Sequence, residues 1–242
     1  MQDHRWVVAI DGPAAAGKTT VARLLAGRLG VILFDTGVLY RAVTLAALRA
    51  GIASSDASAL ADLAAARHIN VTRPTAQDGR LYDVHLDGED VTWAVRDQAV
   101  EERVSEIAAH AGVRDALLPV QRRIADGGAV VMVGRDVGTV VVPDAGVKIF
   151  LLASPEERAR RRRQELAERG MNVSVTDVLA ELRRRDAVDT GRAVSPLRAA
   201  EDAIPLQTDG LTVDAVVDAI EQHVRRAWAG FEEASRANGQ RG

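Results

Sequence analysis

Nine residues limit what this chain can fold into more than any other stretch: Gly12-Pro13-Ala14-Ala15-Ala16-Gly17-Lys18-Thr19-Thr20. They follow the apolar run Val7-Val8-Ala9-Ile10 and lead into Val21-Ala22-Arg23-Leu24-Leu25, so the pattern G-x-x-x-x-G-K-S/T falls between a strand and a helix. In that setting the loop's backbone N–H groups and the positive end of the following helix face one place, which makes a cradle for phosphate. All nine residues are candidate nucleotide contacts. Lys18 is placed to reach the β- and γ-phosphates of a nucleotide, and the Thr19 hydroxyl to hold magnesium. A plain strand-to-helix turn can carry two glycines and a lysine, but it does not account for the flanking pattern. Lys18 and Lys148 are the only lysines, against 29 arginines, so a lysine at this position stands out.

At 242 residues the chain suffices for one large α/β domain and does not require two. Aromatic residues make up 3%, so the core must be built from Ala, Val, Leu and Ile, which suits helices packed on a parallel sheet. A net charge of −3 gives no general attraction to nucleic acid or to an anionic membrane, and any basic function must be local. Without cysteine there is no disulfide framework or thiolate metal site, and the five histidines show no ligand spacing. No signal peptide and no run of about 18 apolar residues is apparent, so a cytoplasmic protein without a membrane partner is expected.

Further along, Val31-Ile32-Leu33-Phe34 has the continuous apolar character of a strand buried on both faces, and it ends in Asp35-Thr36-Gly37-Val38-Leu39-Tyr40-Arg41. Helices are expected over 39–50 and 57–67. From Ile69 to Trp93 the texture changes to short alternating runs separated by Asp78-Gly79 and Asp87-Gly88, the second a strong hairpin signal. The stretch 95–127 reads as helical with a break near Gly112 and Pro119. Ala129–Val133 is a third buried strand that delivers Gly134-Arg135-Asp136, and Val147–Leu152 is a fourth. Ser154-Pro155-Glu156-Glu157 opens an Arg-rich helix to about Arg169, and a further helix spans 176–185. Ile204–Thr208 is the last strand, confined to an edge by Pro205, and a closing helix spans 213–227.

The expected fold is therefore α/β: a five-stranded parallel sheet with a phosphate-binding P-loop, a small antiparallel β insertion and an arginine-rich helical excursion. We expect one domain over 1–242, with the core at 1–68, 94–157 and 176–229, the insertion at 69–93, a lid at 158–175 and a frayed tail at 230–242.

Ligands of open α/β sheets bind beyond the carboxyl ends of the strands. Arg41 at that edge is suited to a second phosphate, with a solvated arginine at a helix start as the alternative. Gly134-Arg135-Asp136 supplies a guanidinium and a carboxylate. Asp136 acts either through magnesium-bound water or as a hydrogen-bond acceptor for substrate, and the residues do not separate the two. In the cluster Arg158 to Arg163, Arg158 and Arg162 share a helix face and are the best candidates for a lid that closes on transferring phosphates, while the interleaved Glu156, Glu157, Glu165 and Glu168 speak against a nucleic-acid footprint. Arg185-Asp186 through Asp189 and Arg192 brackets two aspartates with two arginines in a segment expected to leave its helix near Asp189. That run is either a site element or a surface ion-pair network.

Taken together these segments resemble the bacterial cytidylate kinase family of nucleoside monophosphate kinases. The matching pieces are Ile10 to Thr19, Asp35-Thr36-Gly37 with Tyr40-Arg41, Leu86 to Val91, Val113-Arg114 with Leu117-Leu118, Gly134 to Val141, Lys148 to Leu151, Ser154 to Ala159, and Arg185-Asp186 through Leu197, in order between Val8 and Val224. The resemblance implies an acceptor-binding insertion, an arginine lid, and transfer of the γ-phosphate of ATP to CMP or dCMP with magnesium. It implies that Arg41, Arg135 and Arg192 contact the acceptor phosphate, Ser105, Arg114 and Asp136 the cytosine, and Arg185 and Asp189 the ribose. Thr36 and Tyr40 would complete the acceptor site, and Lys18, Arg135, Arg192, Arg158 and Arg162 would serve the transfer. Thr36 departs from the family's serine, keeping the hydroxyl and adding a methyl, which bears on CMP against dCMP. A monomer is implied. The rival readings are another small P-loop kinase with UMP or a small alcohol as acceptor, and a GTP-dependent switch. The switch would need an N-K-x-D segment, and no asparagine here precedes a lysine.

Overall fold

Each apolar run between the turn signals becomes a strand or the buried face of a helix, and their order in space sets where the site lies. The computed structural model describes residues 4–168 and 170–239, the side chains of 232–239 excepted. Strands β1 (Val7–Asp11), β2 (Ile32–Asp35), β6 (Val130–Gly134), β7 (Val147–Leu152) and β8 (Ile204–Gln207) form one parallel sheet in the order β2-β6-β1-β7-β8. Every residue of β1 and β6 is buried. Successive side chains alternate between the faces, as strand geometry requires. Val7, Ala9, Val130 and Met132 join the core beneath α2 (Gly37–Arg49), α3 (Ala57–Ala66), α4 (Gln98–Ile107) and α5 (Ala111–Ala125), while Val8, Ile10, Val131 and Val133 join the core beneath α1 (Lys18–Leu29) and α8 (Val213–Gly239).

A second sheet, β3 (Ile69–Thr72), β4 (Asp83–Leu86) and β5 (Glu89–Asp90), is antiparallel and stands apart as the insertion. Asp87 and Gly88 turn its hairpin with both φ angles positive, at 52° and 89°. Arg80 staples the insertion by reaching Asp78, Asp83 and Asp90 at 2.8, 2.9 and 2.7 Å.

Four expectations change. β2 is an edge strand with Ile32 42% exposed, since among the described residues only β6 pairs with it. The break between α4 and α5 falls at 108–110. Gly112 and Pro119 both lie inside α5: Pro119 brings a helix-compatible φ, and a Cβ at Gly112 would sit 2.6 Å from that of Ala61, so glycine there lets α5 cross close over α3. Helix α7 (Val175–Gly191) runs past Asp189, since Asp186 and Asp189 both find arginine partners on the core side. α8 continues past 227 to Gly239. The Trp6 ring meets Trp228 and Phe231 edge-on at 5.5 and 6.1 Å, which docks the first turn past 227, and 240–242 lie outside the described residues. The Arg-rich helix, α6 (Pro155–Glu168), ends where expected, with Arg169 outside the described residues.

Candidate active site

The carboxyl ends of β1, β2 and β6 open into one cavity of about 430 Å³. β1 passes into the phosphate loop at Gly12, whose φ of +150° and close approach to Leu151 leave no room for a side chain: a Cβ would lie 2.3 Å from the Leu151 carbonyl oxygen. Ala15 and Gly17 also take positive φ. Of the nine loop residues, Ala14, Ala15, Gly17, Lys18, Thr19 and Thr20 line the cavity, whereas the buried Gly12 and Ala16 and the half-buried Pro13 do not. The buried Lys18 Nζ donates to the Pro13 carbonyl at 2.6 Å. Burial, and then the Arg135 charge, holds its pKa well below that of free lysine. Thr19 Oγ1 donates to Asp35 Oδ2 at 3.0 Å, which puts a hydroxyl and a carboxylate side by side at the loop's mouth.

Asp11, the last residue of β1, fixes the opposite wall. Its carboxylate accepts from Val137 N and Gly138 N at 2.9 and 2.8 Å, anchoring the turn that follows Gly134-Arg135-Asp136. Burial pushes this carboxyl up to about 6 against those two hydrogen bonds.

All ten residues expected at an acceptor site line the cavity: Thr36, Tyr40, Arg41, Ser105, Arg114, Arg135, Asp136, Arg185, Asp189 and Arg192. Eight of them, all but Thr36 and Ser105, divide into two groups. In the first, Arg114 Nη2 donates to Asp136 Oδ2 within a buried pair, and its guanidinium lies 5.1 Å over the Tyr40 ring. The second is a set of guanidinium groups. Arg135 Nε lies 2.8 Å from Asp189 Oδ2, Arg192 Nε donates to the Asp189 carbonyl at 3.2 Å, and Arg185 Nη1 and Arg41 Nη2 both donate to Glu101. Burial, and next the charge of Arg135 for Arg185 and of Arg114 for Arg192, lowers the pKa of each. Arg185 Nε and Arg192 Nη2 are buried and meet no partner among the described residues. Buried donors of that kind call for an anion.

Arg162 also reaches the cavity, donating to Glu165 at 2.8 Å and lying 3.4 Å from Glu101. Arg158, four residues earlier, does not. Arg158 is 4% exposed, and its guanidinium spans both oxygens of Asp186 at 3.0 and 2.6 Å and donates to the Ala14 carbonyl at 3.1 Å, so it clamps α6 and α7 to the phosphate loop.

Asp35, Arg161 and Glu101 are among the residues of the cavity region that carried no role in the sequence reading. Asp35 was marked by its place at a strand's carboxyl end. Arg161 donates to the Thr208 hydroxyl at 3.0 Å and stands 3.7 Å from where a Cβ on Gly17 would be, beside the loop's mouth. Glu101 had no distinguishing signal among the acids of α4.

A family model for cytidylate kinase matches residues 8–226. The cytidylate kinase of Herpetosiphon aurantiacus is 51% identical over 213 residues, 88% of this chain and 91% of that one. The cytidylate kinase of Pelotomaculum thermopropionicum is 50% identical over 226 residues, 93% and 97%. Among solved structures, a gluconokinase from Sinorhizobium meliloti matches at 12% identity with a TM-score of 0.49, over 96% of this chain and 98% of that one.

Proposed function

The chain belongs to the cytidylate kinase family and transfers the γ-phosphate of ATP to CMP or dCMP, and from that premise we propose how its residues divide the work. ATP lies with its phosphates on the loop from Gly12 to Thr20, and Lys18 turns from the Pro13 carbonyl to the β- and γ-phosphates. The acceptor lies opposite, its phosphate among Arg41, Arg135 and Arg192, its ribose at Arg185 and Asp189, and its cytosine against Ser105, Arg114 and Asp136. Thr36 and Tyr40 shape the wall between them. The observation that carries this reading is the convergence of those guanidinium groups, three of them (Arg114, Arg185 and Arg192) with orphaned buried donors, on the cavity that Lys18 faces.

An oxygen of the acceptor phosphate is already nucleophilic, so in-line attack on the γ-phosphorus needs no protein base. Arg135, Arg192 and Lys18 stabilise the charge that spreads over the equatorial oxygens, in a site that excludes water once Arg162 closes with the lid segment 158–175. The insertion at 69–93 covers the acceptor. Arg158 supports the transfer from behind, by holding the loop to α6 and α7.

Cytosine is read at its exocyclic amine. The Asp136 carboxylate accepts from that amine, whereas the uracil carbonyl would meet it acceptor to acceptor.

Thr19 and Asp35 fit a magnesium ion: both offer hard oxygens and lie within 3.0 Å of one another at the loop's mouth. Magnesium bound there would offset the charge of the ATP phosphates. Asp136, engaged with Arg114, is better suited to the base than to a metal-bound water.

No helix among the described residues is long and apolar enough to cross a membrane. Because every proposed site residue comes from one chain and the substrates are free nucleotides, we infer a cytoplasmic monomer. The test is ADP release from ATP and magnesium against CMP, dCMP, UMP, AMP, GMP, shikimate and no acceptor. Rapid release with CMP and dCMP alone is expected. Equal release without acceptor would overturn the arrangement.

A further inference from the structure

One carboxylate on α4 ties together three arginines from three other helices. Glu101 receives Arg41 of α2 on one oxygen, and on the other it receives Arg185 of α7 at 2.9 Å with Arg162 of α6 at 3.4 Å. The group is mostly buried. Burial would raise its pKa, but Arg41, Arg185 and Arg162 together outweigh that and hold it at about 2, so it is an anion throughout the working pH range.

Resting on the site reading above, we propose that Glu101 is a resident counter-anion that occupies Arg41, Arg162 and Arg185 in the substrate-free site and is displaced by the acceptor nucleotide, whose phosphate takes Arg41 and whose ribose takes Arg185.

The argument is one of charge and donor supply. Guanidinium groups gathered in a cavity repel one another unless an anion sits among them. Glu101 supplies one negative charge and two oxygens. A phosphate monoester dianion brings more charge and three oxygens to Arg41, so it competes with Glu101 there and wins only by the difference. The displacement also has a mechanical consequence. Arg162 is the member of the trio on the lid helix, and its release from Glu101 leaves Nη2 to turn toward the phosphates while Nη1 stays on Glu165. Glu101 thus makes lid closure depend on the acceptor being present. It acts as a positioning residue.

The test compares wild type, Glu101→Gln and Glu101→Asp in steady-state kinetics, with sulfate as an inert dianion competing against CMP. With the competing carboxylate removed, Glu101→Gln should lower the KM for CMP and the inhibition constant for sulfate, each by about tenfold, while Glu101→Asp stays near wild type. If Glu101→Gln melts at a lower temperature, millimolar sulfate should restore it, because the dianion takes the vacated place. A raised KM for CMP with unchanged sulfate inhibition would show that the carboxylate is a scaffold retained in the complex, and the proposal would fall. Sulfate that fails to compete with CMP even in the wild type would remove the arginine phosphate site itself, and the proposal with it.

Discussion

Arg135 Nε lies 2.8 Å from Asp189 Oδ2, a bond that joins the carboxyl end of β6 to the last turns of α7. Through it Asp189 also orients Arg192, whose Nε donates to the Asp189 carbonyl at 3.2 Å and whose Nη1 lies 3.8 Å from the carboxylate. Burial would raise the Asp189 pKa, but Arg135 and Arg192 override it and keep the carboxylate ionised. Arg192 is thus held rigid, with one nitrogen left for substrate. Arg192→Ala is expected to lower kcat by about two to three orders of magnitude, as loss of a preorganised charge-stabilising donor does. Its far-ultraviolet circular dichroism should match the wild type. Near-wild-type turnover would remove Arg192 from the transfer step.

Lys18 is the parallel case on the ATP side. A lysine buried at the start of α1, its pKa lowered first by burial and then by Arg135, is an expensive group to keep unless a ligand's negative charge is to meet it. Lys18→Ala should cost about 10²-fold or more in kcat while the fold persists, and an unchanged kcat would show that the loop works without it.

What could be read beforehand followed from local signals. Gly12 to Thr20 declared itself by spacing, and Arg41, Arg135 and Asp136 by standing just after apolar runs. The register of those runs does not say which strand ends at the sheet's edge, so Val31 to Phe34 looked buried on both faces and β2 proved exposed at Ile32. Arg158 and Arg162 shared a predicted face, yet that face meets α7 at one level and the cavity one turn later, a distinction made by Asp186 from a distant segment. Glu101 was invisible because its importance lies wholly in three arginines that only the tertiary fold brings to it.

Asp136 carries the specificity claim. In Asp136→Asn the side chain can present an amide to the uracil carbonyl, and Arg114 loses its charged partner. The ratio of kcat/KM for CMP over UMP should fall by about ten- to a hundredfold, with ATP parameters little changed. An unaltered ratio would place base recognition elsewhere.

Far from the cavity, His4 makes a pH-sensitive latch. Its Nε2 lies 2.9 Å from Asp126 Oδ1 at the end of α5, and its Nδ1 lies 2.9 Å from Asp144 Oδ1 before β7. A neutral imidazole donates from one nitrogen, so both bonds are donor-to-acceptor only when the ring is protonated. Burial lowers its pKa, but the two aspartates more than reverse this and the net shift is upward. The folded protein therefore holds a proton that the unfolded chain releases near 6.5, and the resulting stability is fully present below that value and lost as pH rises through the folded pKa. In urea denaturation at pH 6 and pH 8.5, the advantage of wild type over His4→Gln should shrink by about 1 kcal/mol at the higher pH. Kinase activity measured at pH 7 should be the same in both proteins, since no site residue touches this corner. If the stability gap does not change with pH, His4 is neutral in the folded protein and the latch does not exist.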